Sequence, residues 1–370
     1  MFTLERSKND TSIGLDLLRA LAAQMVCVGH AWNLTFNDGN AFSNHTNARS
    51  TFIPYIGVML FFVLSGFVIA YTLHSRSRRP EYSFGEYAIE RFARIYSAYL
   101  PALILIAGLD ALSLSLGAPI EPNHIIDFLK NLVMLQGYPA DWAGYTFGTA
   151  GQLSSLAAEF HIYFFVGGAF FFCIGRNRIA TALVALAFVF MPLSYLREEA
   201  MSDRNLFALW LAGFGGYFIC NGMQIERHAC RIAGIIAIIA LWYWISRRHG
   251  DGDEYRLSAY LPFAIAFVCF CIATQSTHIL ARLERPITVA ANYSFSLFLI
   301  HVSIIKPLIY WWPLSKTSGL LTAIVVANIA AAAFAQLTEA KHRQLASRLK
   351  ETFGMGPMVD RQVIGAQNTR

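Results

Sequence analysis

Leu15-Asp16-Leu17-Leu18-Arg19-Ala20-Leu21-Ala22-Ala23-Gln24-Met25-Val26-Cys27-Val28-Gly29-His30 is an apolar run carrying three residues that do not belong in lipid: Asp16, Arg19 and His30. Arg19 and His30 are eleven positions apart. In a helix at ~100° per residue, that is three turns plus about 20°. Asp16 lies about 60° from Arg19 on the same wheel. All three therefore share one face of one helix. A charge at mid-bilayer costs roughly 2.5–3.5 kcal/mol on insertion scales, so such a face needs a functional reason.

The rest of the chain makes the lipid setting unavoidable. Of its 370 residues, 56% are hydrophobic and 14% charged, against about 25% charged in soluble domains. Apolar runs of bilayer length recur at 13–33, 52–73, 94–116, 152–174, 179–196, 205–222, 230–246, 257–275, 287–310 and 318–338. The expected fold class is an all-α polytopic membrane protein with about ten transmembrane helices. Residues 1–340 form the transmembrane domain, and 341–370 are expected to be a disordered cytoplasmic tail. The N-terminus does not read as a cleavable signal, because its first apolar stretch holds Asp16 and Arg19. The net charge of +6 does not indicate a nucleic-acid partner, since the basic residues sit in short connections where they set topology. The six Cys show no CxxC spacing and read as reduced packing residues, and no metal is expected. A weakly amphipathic piece in 117–151, with Ile125, Ile126, Leu129, Leu132 and Val133, suits the membrane surface.

Loop charge gives the direction of insertion. Arg76, Arg78, Arg79 and Arg91, then Arg176 and Arg178, Arg227 and Arg231, Arg282 and Arg285, and finally Lys341, Arg343, Arg348 and Lys350 mark alternate connections as cytoplasmic. Both termini are then cytoplasmic. Helix 1 enters at residue 13, so His30 stands about 25 Å deep, near the outer surface, with Arg19 in the inner third. On the same count Glu159 lies about 10 Å below the outer surface and His301 about 20 Å up from the inner one. The expectation is a His30/Glu159/His301 cluster in the outer half, with Arg91 and Arg94 on one helical face at the cytoplasmic mouth. Histidine is the natural general base near neutral pH, and a carboxylate can orient it. Paired arginines suit phosphate or pyrophosphate.

These segments resemble the membrane-bound acyltransferase family 3, the O-acetyltransferase group that modifies bacterial surface polysaccharides. The resemblance rests on Leu15–His30, on Gly57-Val58-Met59-Leu60-Phe61-Phe62-Val63-Leu64-Ser65-Gly66-Phe67, on Arg91-Phe92-Ala93-Arg94-Ile95-Tyr96, on Leu153-Ser154-Ser155-Leu156-Ala157-Ala158-Glu159-Phe160-His161-Ile162-Tyr163, and on Asn292-Tyr293-Ser294-Phe295-Ser296-Leu297-Phe298-Leu299-Ile300-His301. Five such pieces in order are specific where one is weak. Three departures stand out: Ser97-Ala98 after Ile95-Tyr96 where the family often has Pro, Gln152 where it usually has Trp, and Glu339-Ala340-Lys341 in place of a Glu-basic-Pro ending.

The resemblance implies acyl transfer, often of acetyl, from cytoplasmic acyl-CoA to a carbohydrate hydroxyl, in the bacterial inner membrane. It makes His30 the essential catalytic residue, with Glu159 and His301 as further catalytic candidates. Arg19, Arg91 and Arg94 become candidates for donor binding. Asp16, Asn33 and Ser65 are candidate substrate contacts, although Ser65-Gly66 also suits small-residue helix packing. The main alternative is a transporter of a small anionic solute, since intramembrane Arg, His and Glu also build relays. Against it, no internal repeat is visible. A succinyl donor or a non-sugar acceptor stays open.

Overall fold

The computed structural model describes residues 2, 4–36, 50–120, 123–137, 143–194, 206–223, 226–246, 257–312 and 315–355. Helix is the only regular structure among them: α1 Thr11–Thr35, α2 Ile53–Arg76, α3 Phe84–Ser115, α4 Ile125–Leu132, α5 Leu153–Cys173, α6 Arg178–Ala187, α7 Phe190–Ser194, α8 Leu206–Gly222, α9 Arg227–Ser246, α10 Leu257–Ala273, α11 Glu284–Asn292, α12 Ser294–Trp311, α13 Lys316–Leu337 and α14 His342–Thr352.

Local chemistry sets several of these boundaries. Ser83 accepts from the Glu86 N–H while Glu86 reaches back to the Ser83 N–H, a capping box that starts α3. Pro54 occupies the first turn of α2, where no N–H is needed. Asn177, in the left-handed region at φ 48°, turns α5 back into α6.

Helices α1, α2, α3 and α12 surround the site, with α13 packed outside α12 and α8 against α2. The α2–α8 contact is a backbone approach. A Cβ on Gly66 would collide with the Trp210 carbonyl, and one on Gly213 with the Val63 carbonyl. Small residues are what allow helices to come this close in lipid. Helices α9 and α13 present mostly apolar surface outward, with Ile232, Ile235, Ile238, Leu321, Val325 and Ile329 exposed.

The all-α, multi-pass reading holds, while the expected count of ten spans is not reached among the described residues. Seven helices among the described residues are long and apolar enough to cross a bilayer, or eight if the pair Tyr260–Ser276 and Leu280–Asn292, bent by 98°, counts as one span. Helix α6 has 10 residues, and α8, with 17, rises ~25 Å against ~30 Å of hydrocarbon. The run expected at 287–310 breaks at Tyr293 into α11 and α12. Helix α3 starts at Phe84 rather than near 94, which puts Arg91 and Arg94 inside the helix.

The tail expectation also changes where residues are described. His342–Thr352 is helical, and α14 packs on α3. Lys350 is 2% exposed and its ammonium reaches Glu90 at 2.7 Å and Glu86 at 3.6 Å. Arg76 and Tyr82 also bond the Glu90 carboxylate. Burial, and then the Glu90 charge, raise the Tyr82 hydroxyl above its usual pKa, so it stays a donor. Residues 356–370 of the expected tail lie outside the described residues. In the amphipathic piece, Ile125, Ile126, Leu129 and Val133 face outward while Asn131 is buried.

Candidate active site

The last turns of α1 bring His30 against His301 of α12. His30 Nδ1 lies 2.8 Å from His301 Nε2, with the rings near parallel at 6° and centroids 5.1 Å apart. His301 is fully buried, and its Nδ1 faces the carbonyls of Leu297 at 2.8 Å and Phe298 at 3.0 Å. Those contacts settle the protons. A carbonyl oxygen only accepts, so His301 Nδ1 carries the hydrogen and its Nε2 is a lone pair in the neutral ring. His30 Nδ1 must then donate to that lone pair. The remaining nitrogen, His30 Nε2, is left unprotonated, as a general base requires. If it takes a proton, His30 Nδ1–H keeps its partner.

A basic cluster lies at the other end of the same helices. Arg94 pairs with Glu339 at 2.9 Å and stacks over Phe295 at 5.7 Å. The other Glu339 oxygen accepts from the Ser296 N–H at 3.1 Å and the Ser296 hydroxyl at 2.9 Å. Glu339 thus ties the end of α13 to the start of α12 while holding Arg94. Arg19 lies within electrostatic reach of Arg94, Glu339 and Tyr163. Arg91 packs over the Tyr87 ring at 6.0 Å, and its buried Nε has no hydrogen-bond partner among the described residues. The three arginines expected to act together are therefore brought together.

Glu159 does not join the histidines, and the expected convergence in depth is corrected here. Gln152 Nε2 donates to the Leu299 carbonyl at 2.9 Å, and Thr149 touches Ser303 at 2.8 Å, so α5 and α12 run in opposite directions from that level. Seven residues down α5, Glu159 is roughly 13 Å below His301. Its charged neighbours are Arg94 and Arg91. The Tyr163 hydroxyl donates to it, lies 2.8 Å from Ser65 Oγ, and Ser65 in turn accepts from Trp210 Nε1 at 3.1 Å. Between the two levels runs a narrow cleft lined by Phe61, Phe62, Ser155, Glu159, Phe295 and Phe298. It climbs from Glu159 to Phe298, whose carbonyl holds His301.

The three candidate substrate contacts have protein partners. Asp16 binds Arg6 at 2.5 Å and Arg19 at 3.4 Å, and Arg6 continues to Glu284 at 2.8 Å. This fastens the N-terminal segment and α11 to α1. Asn33 exchanges two hydrogen bonds with the backbone of Thr51, at 3.0 and 2.6 Å, one turn beyond His30. Ser65 belongs to the Tyr163 chain. Sequence reasoning missed Tyr163, Glu339 and Lys306 as site residues. Tyr163 stands four residues after Glu159 on one face, and Lys306 is an ionisable residue inside an apolar run; both signals were available.

Comparison with known proteins bears on this geometry as a whole. A protein-family model described as an acyltransferase domain matches residues 12–337, from the second residue of α1 to the last of α13. No curated protein matches the chain, and no solved structure does.

Proposed function

The chain belongs to the acyltransferase 3 family, and from that premise we propose that it moves an acyl group, acetyl foremost, from cytoplasmic acyl-CoA to a hydroxyl of a surface carbohydrate. It is a multi-pass membrane enzyme that transfers acyl groups. In the proposal it sits in a bacterial inner membrane, with the arginine end and both termini in the cytoplasm.

Arg19, Arg91 and Arg94 take the donor's phosphates, as guanidinium groups do with paired anionic oxygens. Arg91, with an unused Nε donor, is the readiest to bind. Glu159 and Tyr163 frame the mouth of the cleft and keep the arginine face from becoming uniformly positive. The donor's arm lies in the apolar cleft, with its thioester below His30. The acceptor hydroxyl comes from the outer side. Its oxygen attacks the thioester carbonyl as its proton passes to His30 Nε2. The C–O bond forms, the C–S bond breaks, and the departing thiolate takes the proton that His30 holds.

The observation carrying this reading is the hydrogen-bond order His30 Nδ1–H to His301 Nε2, with His301 Nδ1–H on the Leu297 carbonyl. It leaves one base free about a turn above a cleft whose lining includes Glu159, the neighbour of Arg94 and Arg91. The test is mass spectrometry of surface glycans from cells carrying His30→Ala at wild-type protein level. Acylation is expected to vanish, and retained acylation would sink the assignment. Labelled acetyl-CoA supplied to inside-out vesicles should leave covalent label on an acceptor. Uptake without covalent label would instead favour transport.

A further inference from the structure

Beyond His30, on the side away from the arginines, α12 carries a buried cation that the mechanism above does not use. Lys306 is 7% exposed and makes no hydrogen bond and no ion pair within 4 Å among the described residues. It is five residues past His301, roughly 7.5 Å along the axis, and within electrostatic reach of His30. The charge acting on it is Asp110. That carboxylate is already occupied: it accepts from the Thr149 N–H at 2.9 Å, the Thr149 hydroxyl at 2.8 Å and Asn123 Nδ2 at 3.3 Å. Asp110 therefore offsets the charge of Lys306 without using its three donors.

A second observation lies on the same turn. Residue 307 is proline inside α12. It has no N–H to give the carbonyl four residues back, which is that of Ser303. Ser303 is itself fully buried, so that carbonyl is closed to a ligand, and the ammonium of Lys306 is the group left to bind near the proposed base. Leaving a largely buried ammonium without a partner is costly.

We infer that Lys306 forms part of the acceptor subsite, binding an oxygen of a polyhydroxyl compound that neighbours the hydroxyl His30 deprotonates. Its ammonium donates to that oxygen. With Asp110 nearby the site is close to neutral, which suits an uncharged sugar better than an acid. This deepens the proposed function and rests on it.

Membrane vesicles from the protein's own host carry the natural acceptor, so the probe is acetyl-CoA labelled in its acetyl group. The readout is the ratio of label bound to carbohydrate to label released as acetate. Lys306→Met is expected to lower that ratio about tenfold or more, the scale of one charge-assisted hydrogen bond. Lys306→Gln, which keeps N–H donors, is expected to lower it less. An unchanged ratio in Lys306→Met, or binding and release falling in parallel in both variants, overturns the subsite. Bound label that survives His30→Ala overturns the reading of the reaction itself, which is a separate result.

Discussion

Replacing His301 with Phe tests whether this buried ring sets the protonation of His30. The substitution keeps an aromatic ring in the fully buried position and removes the Nε2 lone pair 2.8 Å from His30 Nδ1. In the active tautomer, His30 Nδ1–H would then face no acceptor. An unsatisfied buried donor costs about 1–3 kcal/mol. The ring can escape that penalty by moving its hydrogen to Nε2, but this tautomer has no base facing the acceptor. The active form should therefore fall about 5- to 150-fold in population, and the rate of transfer with it. His301→Gln supplies an amide oxygen in a similar place and should recover part of the loss. Two readouts are needed: initial rates of label transfer in vesicles, and nitrogen-15 shifts of His30 in labelled membranes, which report the tautomer directly. If His301→Phe transfers at the wild-type rate, or His30 keeps its Nδ1 hydrogen while activity falls, the reasoning is wrong.

Other expectations follow from contacts described above. Glu339→Gln weakens the hold on Arg94 and on the Ser296 N–H together; a loss of about 3 kcal/mol is expected, read as a lower melting temperature in detergent, and an unaltered melt would count against it. Lys350→Met leaves Glu86 and Glu90 without their buried partner. Helix α14 should loosen by about 1–3 kcal/mol, seen as faster proteolysis within 342–352, whereas unchanged protection would show that packing alone seats the helix. Gly66→Ala forces α2 from α8 at the Trp210 carbonyl, at a cost of about 1–3 kcal/mol or more. Gly215→Ala, whose Cβ would meet nothing within 4 Å, should be neutral or stabilising by up to about 1 kcal/mol; equal melts for the two variants would refute the close-approach argument.

Much of this architecture is written in hydrophobic runs and loop charge. The α1 face carrying Asp16, Arg19 and His30 is visible as soon as the run is wound at the helical period. Arg91 and Arg94 announce themselves by spacing. The break at Tyr293 is less visible, because no proline or glycine marks it and its sign is the polar cluster Asn292, Ser294 and Ser296. The depth of Glu159 failed for a related reason. Counting from a helix start assumes that every start lies at the bilayer surface, whereas the α5 start is set by the hydrogen bond of Gln152 to the Leu299 carbonyl of α12. Lys306 lies inside an apolar run, and only the structure shows that it is buried without a partner among the described residues. Lys350 looked like an ordinary tail charge, and only the arrival of Glu86 and Glu90 from α3 makes it a core residue.

Helix α1 is also a measure of length. Arg19 stands with the charges proposed to bind the donor and His30 with the proposed reacting carbonyl, and eleven residues of unbroken helix keep them ~16 Å apart. On the proposed reading, a donor must carry its anionic groups and its carbonyl at opposite ends of an arm of that reach. Acetyl phosphate places the two side by side. It should compete for the arginines and slow labelling from acetyl-CoA, yet transfer no label of its own; efficient transfer from it would show that the ruler does not operate. The enzyme would then choose its donor by the span of the carrier, leaving the identity of the acyl group to the few residues around His30.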